Sequence, residues 1–488
     1  MYNRKMHETA TGAGMYQPRD LAETLRGIRA GDRDIEDEVS IALDHIERFE
    51  DTIHALLPDE TSGRRRTRLL SEARQLHKRW PDPDNRPPLY GAIVGVKDLF
   101  HTQEFPVRAG SNLPADLFQQ PGAPGLPAGG AGSDAETVAR LREAGALILG
   151  KTYSTEFAYF APAPTRNPID PAYSPGGSSS GSAAAVGAGF CQVALGTQTI
   201  GSISRPASFC GVCGYKPSFR RVSADGVVPF SPSADHIGYI AATVAAISAL
   251  APVLVDDWDS VLAAETPRVP DYALSAAPLQ LAETLRPILG TVLVPDDEYV
   301  SQADEYSRAA LDAVCERLLG MGIDVQRLDL FPDIGEINEM HQDMIAYDFA
   351  SVHSTWFDEH RDTYHQRSAD LVQRGRSISE ERFREGQTGR ATLRKRLDAV
   401  LARHGASLFV APATVGEAPA GIESTGSPIM NLPWTYSGLP TISIPVTGLQ
   451  NGRGHNGLPL GIQLATTFGN DERLLGLSLA MEHALGAV

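Results

Sequence analysis

The sequence predicts an α/β fold. Three observations predict it: two amphipathic helical patterns near the N-terminus, apolar runs bounded by glycine from Tyr90 onward, and a helical segment lying between two of those runs. The helical patterns are Leu21/Leu25/Ile28 and Val39/Leu43/Ile46, each at i, i+4, i+7 and separated by Ala30-Gly31-Asp32, which reads as a helical hairpin packed on a core. Arg64-Arg65-Arg66 beyond it reads as a solvated helix face. Gly91 to Val96 and Ala146 to Leu149 suit buried strands. Between them, the Gly/Pro-rich stretch Pro121 to Gly132 reads as a surface excursion. It stops at Ser133-Asp-Ala-Glu136, a capping-box pattern, followed by Val138 and Leu141 on one face and Gly145 as a stop.

Further along, Ala183 to Phe190 is an apolar element after a Ser/Gly loop, and Cys191 to Leu195 reads as a strand leading into Gly196. Ile237 to Val255 is uncharged and nearly long enough to span a membrane. It is rich in Ala, carries Thr243 and Ser248, is interrupted by Pro252 and lacks flanking Lys or Arg, so the reading is a helix buried on most faces of a soluble core, with no membrane partner. Residues 255–405 are polar and helical in character. Their His341, His353, His360 and His365 are not spaced to put a ligand pair on one turn, so exposed helix histidines and no metal are expected. Ser407 to Val410, a Gly/Pro-studded stretch from Thr425 to Gly461 and an amphipathic helix around Leu474 to Leu485 complete the chain, and no internal repeat is found.

At roughly 150 residues per domain, 488 residues suggest about three domains or one large α/β domain. With 42% hydrophobic and 21% charged residues the composition is that of an ordinary globular protein, which excludes disorder, collagen and coiled coil. The 43 Lys+Arg against 60 Asp+Glu give a net charge of −17, which argues against a broad electrostatic grip on nucleic acid. The cysteines Cys191, Cys210, Cys213 and Cys315 cannot form a dense disulfide framework, and Cys210-Gly-Val-Cys213 lacks the setting of a redox or metal motif. The segment MYNRKMHETATGAG has no apolar h-region, so the expected location is cytoplasmic.

Three motifs compete for the chemistry. Gly145-Ala-Leu-Ile-Leu-Gly-Lys151-Thr152 matches a P-loop by pattern, but its variable residues form an apolar strand where phosphate binding needs a loop. Lys151 is therefore expected to end a core strand near the site. Gly177-Ser-Ser179-Ser-Gly181 matches a nucleophile elbow, yet Pro168, Pro171 and Pro175 occupy the place of the buried strand that an elbow requires. The third reading combines Lys97, the serines from Ser178 to Ser182 and the loop Gly196 to Pro206 into one site. Burial of Lys97 at the end of an apolar run lowers its pKa and makes it a candidate base. A serine can relay a proton between it and another hydroxyl. The stretch Thr199 to Ser202 can turn successive N–H groups toward one point, as an oxyanion requires.

Taken together, Gly95-Val-Lys97-Asp98, Pro175-Gly-Gly-Ser-Ser-Ser-Gly-Ser182 and Gly196-Thr-Gln-Thr-Ile-Gly-Ser202-Ile203 resemble the amidase signature family. The likeness extends through Phe209 to Pro217 to Gly438-Leu-Pro-Thr-Ile-Ser-Ile-Pro445 and Gly457-Leu-Pro-Leu-Gly-Ile-Gln463. It implies one α/β/α domain over 1–488 with a mixed central sheet flanked by helices: a hairpin at 17–60, a signature core at 90–255, a variable helical region at 256–405 shaping the substrate pocket, and C-terminal strands and helix at 406–488. It also implies a catalytic set of Lys97, Ser178 and nucleophilic Ser202, with Ser178 after a cis peptide bond, and Thr199, Ile200, Gly201 and Ser202 as the oxyanion group. Gly177, Ser179, Trp434 and Tyr436 are expected near the substrate, the two aromatics either facing an apolar acyl group or belonging to the core.

The implied activity is hydrolysis of a carboxylic amide through a serine acyl-enzyme, extending to carbamates, ureas or esters, by a free-standing amidase without cofactor. Its partner would be a small-molecule amide, with no nucleic acid and a homodimer left open. The alternative is the glutamine-hydrolysing subunit of a tRNA amidotransferase-like complex. The chain departs from many members at Gln198, Ile200 and Ser204, where they carry Asp, Gly and Arg, although Arg205 is adjacent. Gln198 replaces hydrogen bonds but not a charge, so the electrostatics around Ser178 are expected to differ.

Overall fold

The computed structural model describes residues 14–265 and 278–486; the residues before 14, on which most of the leader reading rests, lie outside these. Among the described residues ten strands form one mixed sheet: β1 (Ile93–Lys97), β2 (Leu147–Thr152), β3 (Val193–Gln198), β4 (Cys213–Lys216), β5 (His236–Ala241), β6 (Thr291–Pro295), β7 (Asp324–Leu328), β8 (Ala406–Pro412), β9 (Thr441–Pro445) and β10 (Gly461–Ala465). Their order is β2-β1-β3-β5-β4-β9-β10-β8-β6-β7. The two flanks, β2-β1-β3 and β8-β6-β7, are parallel, and the strands between them run antiparallel. Helices cover both faces, which is why strands such as β1 and β3 are buried along their whole length.

The N-terminal helices Leu21–Ala30 and Ile35–Ile53 start on Asp20 and Asp34, whose carboxylates accept the N–H groups of Ala22 and Glu36. Val39, Leu43 and Ile46 of the second helix pack with Ile93, Leu147, Leu149 and Ala183 to Val186 on one face of the sheet. Val94, Val96, Ile148 and Leu195 point into the core on the other face. Helix Ser180–Gly187 lies on the first face, and Ser182 Oγ ties it to Leu195 O of β3 and Thr152 Oγ1 of β2, each at 2.8 Å.

Several elements differ from the sequence reading. Helix Glu136–Glu143 takes Ala135 as its N-cap with no side-chain hydrogen bond, two residues after Ser133, so Glu136 is its first residue and no capping box forms; Asp134 instead accepts the Gln103 N–H and pairs with the Arg142 guanidinium. The uncharged stretch 237–255 is β5 followed by helix Val244–Leu254. Its first half pairs between β3 and β4, and Thr243 caps the helix through the Ala246 N–H at 3.1 Å. Among the described residues no helix is long and apolar enough to cross a membrane. Within Arg64-Arg65-Arg66, Arg65 is buried, while Arg64 is exposed. His341 and His353 are fully buried rather than exposed.

Candidate active site

Lys97 is the last residue of β1 and has no exposed surface. Its Nζ is hydrogen-bonded to Ser178 Oγ at 2.7 Å and to Thr197 Oγ1 at 2.8 Å. Burial drives the Lys97 ammonium well below its ordinary range, opposed only by the charge of Asp235. Ser178 follows a cis Gly177–Ser178 peptide bond and immediately precedes the start of helix Ser180–Gly187. Ser179 is also buried, and its hydroxyl is directed at Thr197 O, 3.4 Å away in β3, so it serves the sheet and is not presented at an elbow.

Beyond β3 the chain turns through Thr199 to Ser202 into the short helix Ser204–Phe209. Each carbonyl of this turn is held from outside. Thr199 O accepts from His341 Nε2 at 2.9 Å, Ile200 O from the Thr435 hydroxyl at 2.6 Å, Gly201 O from the Arg205 N–H at 3.0 Å, and Ser202 O from the Ser179 N–H at 3.3 Å. The N–H groups of Ile200, Gly201 and Ser202 carry no hydrogen bond to the rest of the described protein. With its carbonyls fixed outward, the turn leaves three adjacent donors for an incoming oxygen, the arrangement a developing oxyanion needs. The turn is also tightly enclosed: a Cβ on Gly201 would strike Asn431 Oδ1.

Thr199 is further tied through its hydroxyl to Asp235 at 2.5 Å, and Asp235 accepts the N–H groups of Phe230 and Ser231. Burial raises the Asp235 carboxyl to about 6 against these bonds. Gln198 does not reach Ser178. Its Oε1 accepts the Ile203 and Ser204 N–H groups at 2.8 and 2.9 Å, capping the following helix, and its Nε2 donates to Thr435 at 3.0 Å. The loss of charge at Gln198 is therefore felt at this helix start.

Ser202 opens on a narrow cavity that it shares with Thr199, Ile200, Phe160, Phe230 and Arg205. A cavity of about 170 Å³ adjoins it through Tyr159, Phe160, Ile200 and Pro428 and is walled by Ile345, Leu371, Ile429 and Leu432. Trp434 lies outside both. Its ring packs against Phe331 and Phe409 at 5.2 and 5.4 Å and its Nε1 donates to Tyr299, so it is a core residue. Tyr436 is buried too, and its hydroxyl donates to Gly386 O at 2.6 Å beside a separate groove of about 860 Å³ between helices Ile334–Val352 and Glu380–His404. Sequence reasoning missed His341, Thr435 and Asp235, which lie far from the loop they hold and carry no local motif.

Lys151 bonds Phe100 O and lies 3.4 Å from the Asp98 carboxylate, both groups fully buried, so its role is in the core of β2 and not in a phosphate loop. Cys210 and Cys213 are free and buried.

A mixed α/β sheet that carries a buried lysine, clustered serines and a turn of free N–H donors is an arrangement suited to acyl transfer. The Amidase family model matches residues 42–475. A crystal structure described as an amidase superposes with a TM-score of 0.78 at 27% identity, covering 95% of this chain and 99% of that one. A glutamyl-tRNA(Gln) amidotransferase subunit from Koribacter versatilis (strain Ellin345) is 30% identical over 462 residues, 87% of this chain and 90% of the relative. The corresponding subunit from Salinibacter ruber (strain DSM 13855 / M31) is 34% identical over 318 residues, 64% of this chain, and the match spans only 57% of that relative's length. The chain belongs to the amidase family.

These relatives overturn the expectation of a small-molecule amide as the partner, with no nucleic acid and at most a homodimer, because they are named as subunits of a glutamyl-tRNA(Gln) amidotransferase. The physical reason for the miss is that net charge reports only a chain's average field. An average of −17 does not exclude a local basic patch or a partner protein that binds phosphate.

Proposed function

We propose that the protein cleaves an amide C–N bond through an acyl-enzyme on Ser202, and that it does so as the ammonia-releasing component of an amidotransferase-type assembly, with glutamine as amide donor. Neutral Lys97 takes the Ser178 hydroxyl proton as Ser178 takes that of Ser202, and Ser202 Oγ attacks the carbonyl carbon. The N–H groups of Ile200, Gly201 and Ser202 hold the oxyanion. The proton then passes from Lys97 through Ser178 to the leaving nitrogen, ammonia departs, and water repeats the sequence on the ester to release the acid.

The observation that carries this reading is the turn at 199–202, with all four carbonyls bonded outward and three N–H groups free. Removing one such donor costs roughly 100- to 1000-fold in kcat in comparable sites. The assembly reading is supported by the relative that aligns over 90% of its length. A second reading, a free-standing amidase for apolar acyl groups, is favoured by the walls of Tyr159, Phe160, Ile345, Leu371 and Leu432 around the adjoining cavity. Product release by the purified chain from glutamine and from a matched set of alkyl and aryl amides, with Ser202→Ala as blank, separates the two. Ser202-dependent ammonia from glutamine above all others supports the amidotransferase component. A ranking led by aryl or alkyl amides supports the free-standing amidase, and activity that survives Ser202→Ala removes both.

A further inference from the structure

Arg205 begins its side chain one helical turn after Ser202 and is 2% exposed. Among the described residues no carboxylate lies within ion-pair distance of it. Its guanidinium bonds only neutral oxygens: Nη1 donates to Gly426 O at 2.8 Å, and Nη2 to Gly177 O at 2.6 Å and Thr425 Oγ1 at 3.4 Å, while the buried Nε has no partner. Burial without a compensating anion pulls its pKa down to about 9. A buried guanidinium lacking a counter-charge is costly to a fold, and the cost is offset when a bound anion supplies the missing partner.

The space that Ser202 and Arg205 line together is only about 10 Å³, but it shares Tyr159, Phe160, Ile200 and Pro428 with the adjoining cavity of about 170 Å³, from which a substrate chain would reach Arg205 and which Arg374 also lines. Among the described residues Arg205 is the only charged one lining the space onto which Ser202 opens, and the rest of that wall is apolar or hydroxylic, with the Phe160 ring centroid 5.7 Å from the guanidinium carbon. A carboxylate that reaches Arg205 from the adjoining cavity meets a full positive charge, no competing carboxylate and little water, conditions under which a charge-assisted contact is strong.

We propose that Arg205 determines specificity by receiving a carboxylate on the acyl chain of the substrate, so that the preferred substrates are amides whose acyl group carries a carboxylate a few bonds from the reacting carbonyl. The proposal rests on the reading of Ser202 as the reacting serine. It gives that site a chemical class of substrate: ω-amides of dicarboxylic and amino dicarboxylic acids, ahead of neutral amides of equal length.

The test compares the monoamide of glutaric acid with pentanamide, its neutral counterpart, on the full chain at pH 7. The unaltered chain is expected to show a kcat/KM at least tenfold higher on the glutaric monoamide. Arg205→Gln is expected to reduce that ratio about tenfold or more, mainly through KM, and Arg205→Lys to retain part of it. Thermal melting of both variants separates lost recognition from lost folding, since Arg205 also braces Gly177 and Gly426. Calorimetric titration of both amides into Ser202→Ala, with and without Arg205→Gln, reads the same preference without turnover, and ammonia released by Ser202→Ala during the titration marks a failure of the reacting-serine reading rather than of the Arg205 proposal. A ratio that Arg205→Gln leaves unchanged, or equal binding of the two amides by the Arg205 protein, overturns the proposal.

Discussion

Two lysines on neighbouring strands of this protein share the same burial and have opposite surroundings. Lys97 ends β1 and Lys151 sits one residue from the end of β2, and neither has exposed surface. In the parallel ladder Lys97 pairs with Thr152 and Lys151 with Val96, so the two side chains leave opposite faces of the sheet. On its face Lys151 meets Asp98, which also accepts the Arg108 and Gly110 N–H groups, two bonds that favour the ionised carboxylate. Lys97, on the other face, meets two hydroxyls and no carboxylate. Burial lowers both lysines, but for Lys151 the adjacent carboxylate works against the shift, while for Lys97 only the charge of Asp235 does. The contrast teaches that surroundings separate two equally buried lysines: the one with hydroxyl partners suits the base of the proposed reaction, and the one beside a carboxylate suits a structural cation.

Four measurements break or sharpen this contrast. The largest effect is expected for Lys97→Met, which removes the proposed base while keeping the volume: kcat/KM falls by about a thousandfold or more, the scale of an acid-base contribution, while thermal stability at pH 7 is unchanged or higher. Lys151→Met is the opposite case. It strands the buried Asp98 carboxylate and lowers stability by about 3–5 kcal/mol, read from chemical denaturation. Third, the pH dependence of kcat/KM is expected to rise through the folded-state pKa of Lys97, which lies well below its ordinary 10.5. The sign for stability is the same. The unfolded chain binds the extra proton between the two values, so Lys97 costs stability as pH falls through that window, and Lys97→Met flattens this part of the curve. The smallest effect is expected for Thr435→Val, which frees the Ile200 carbonyl while leaving both lysines untouched. It lowers kcat about tenfold with little change in the pH profile.

The same contrast explains what was legible beforehand. Local patterns carried β1, the strand nature of the P-loop match at 145–152, and the hydroxyl-rich segments at 178–182 and 199–202, because apolar runs, proline placement and serine density are properties of contiguous residues. What holds those segments was not legible. His341 and Thr435 fix the carbonyls of Thr199 and Ile200 from helices Ile334–Val352 and Leu432–Ser437, more than a hundred residues away in sequence. His341 resembles an exposed histidine because a polar helical segment does not reveal that helices Gln366–Ser377, Glu380–His404 and Leu432–Ser437 pack on it and that the turn at Thr199 meets its imidazole. Residues 237–255 failed for a related reason: an uncharged Ala-rich run suits a buried strand and a buried helix equally, and only pairing with β3 and β4 decides between them. Trp434 went to the core for want of a polar task beyond its bond to Tyr299.

The most direct test of the account is covalent capture of the reacting serine. The unaltered chain, Lys97→Met and Ser202→Ala are each treated with a fluorophosphonate at neutral pH, and intact mass and peptide mapping are followed over time. The account predicts a single adduct on Ser202, formed far more slowly in Lys97→Met and absent from Ser202→Ala. An adduct on Ser178 or Ser179, or labelling of Lys97→Met at the unaltered rate, would contradict it.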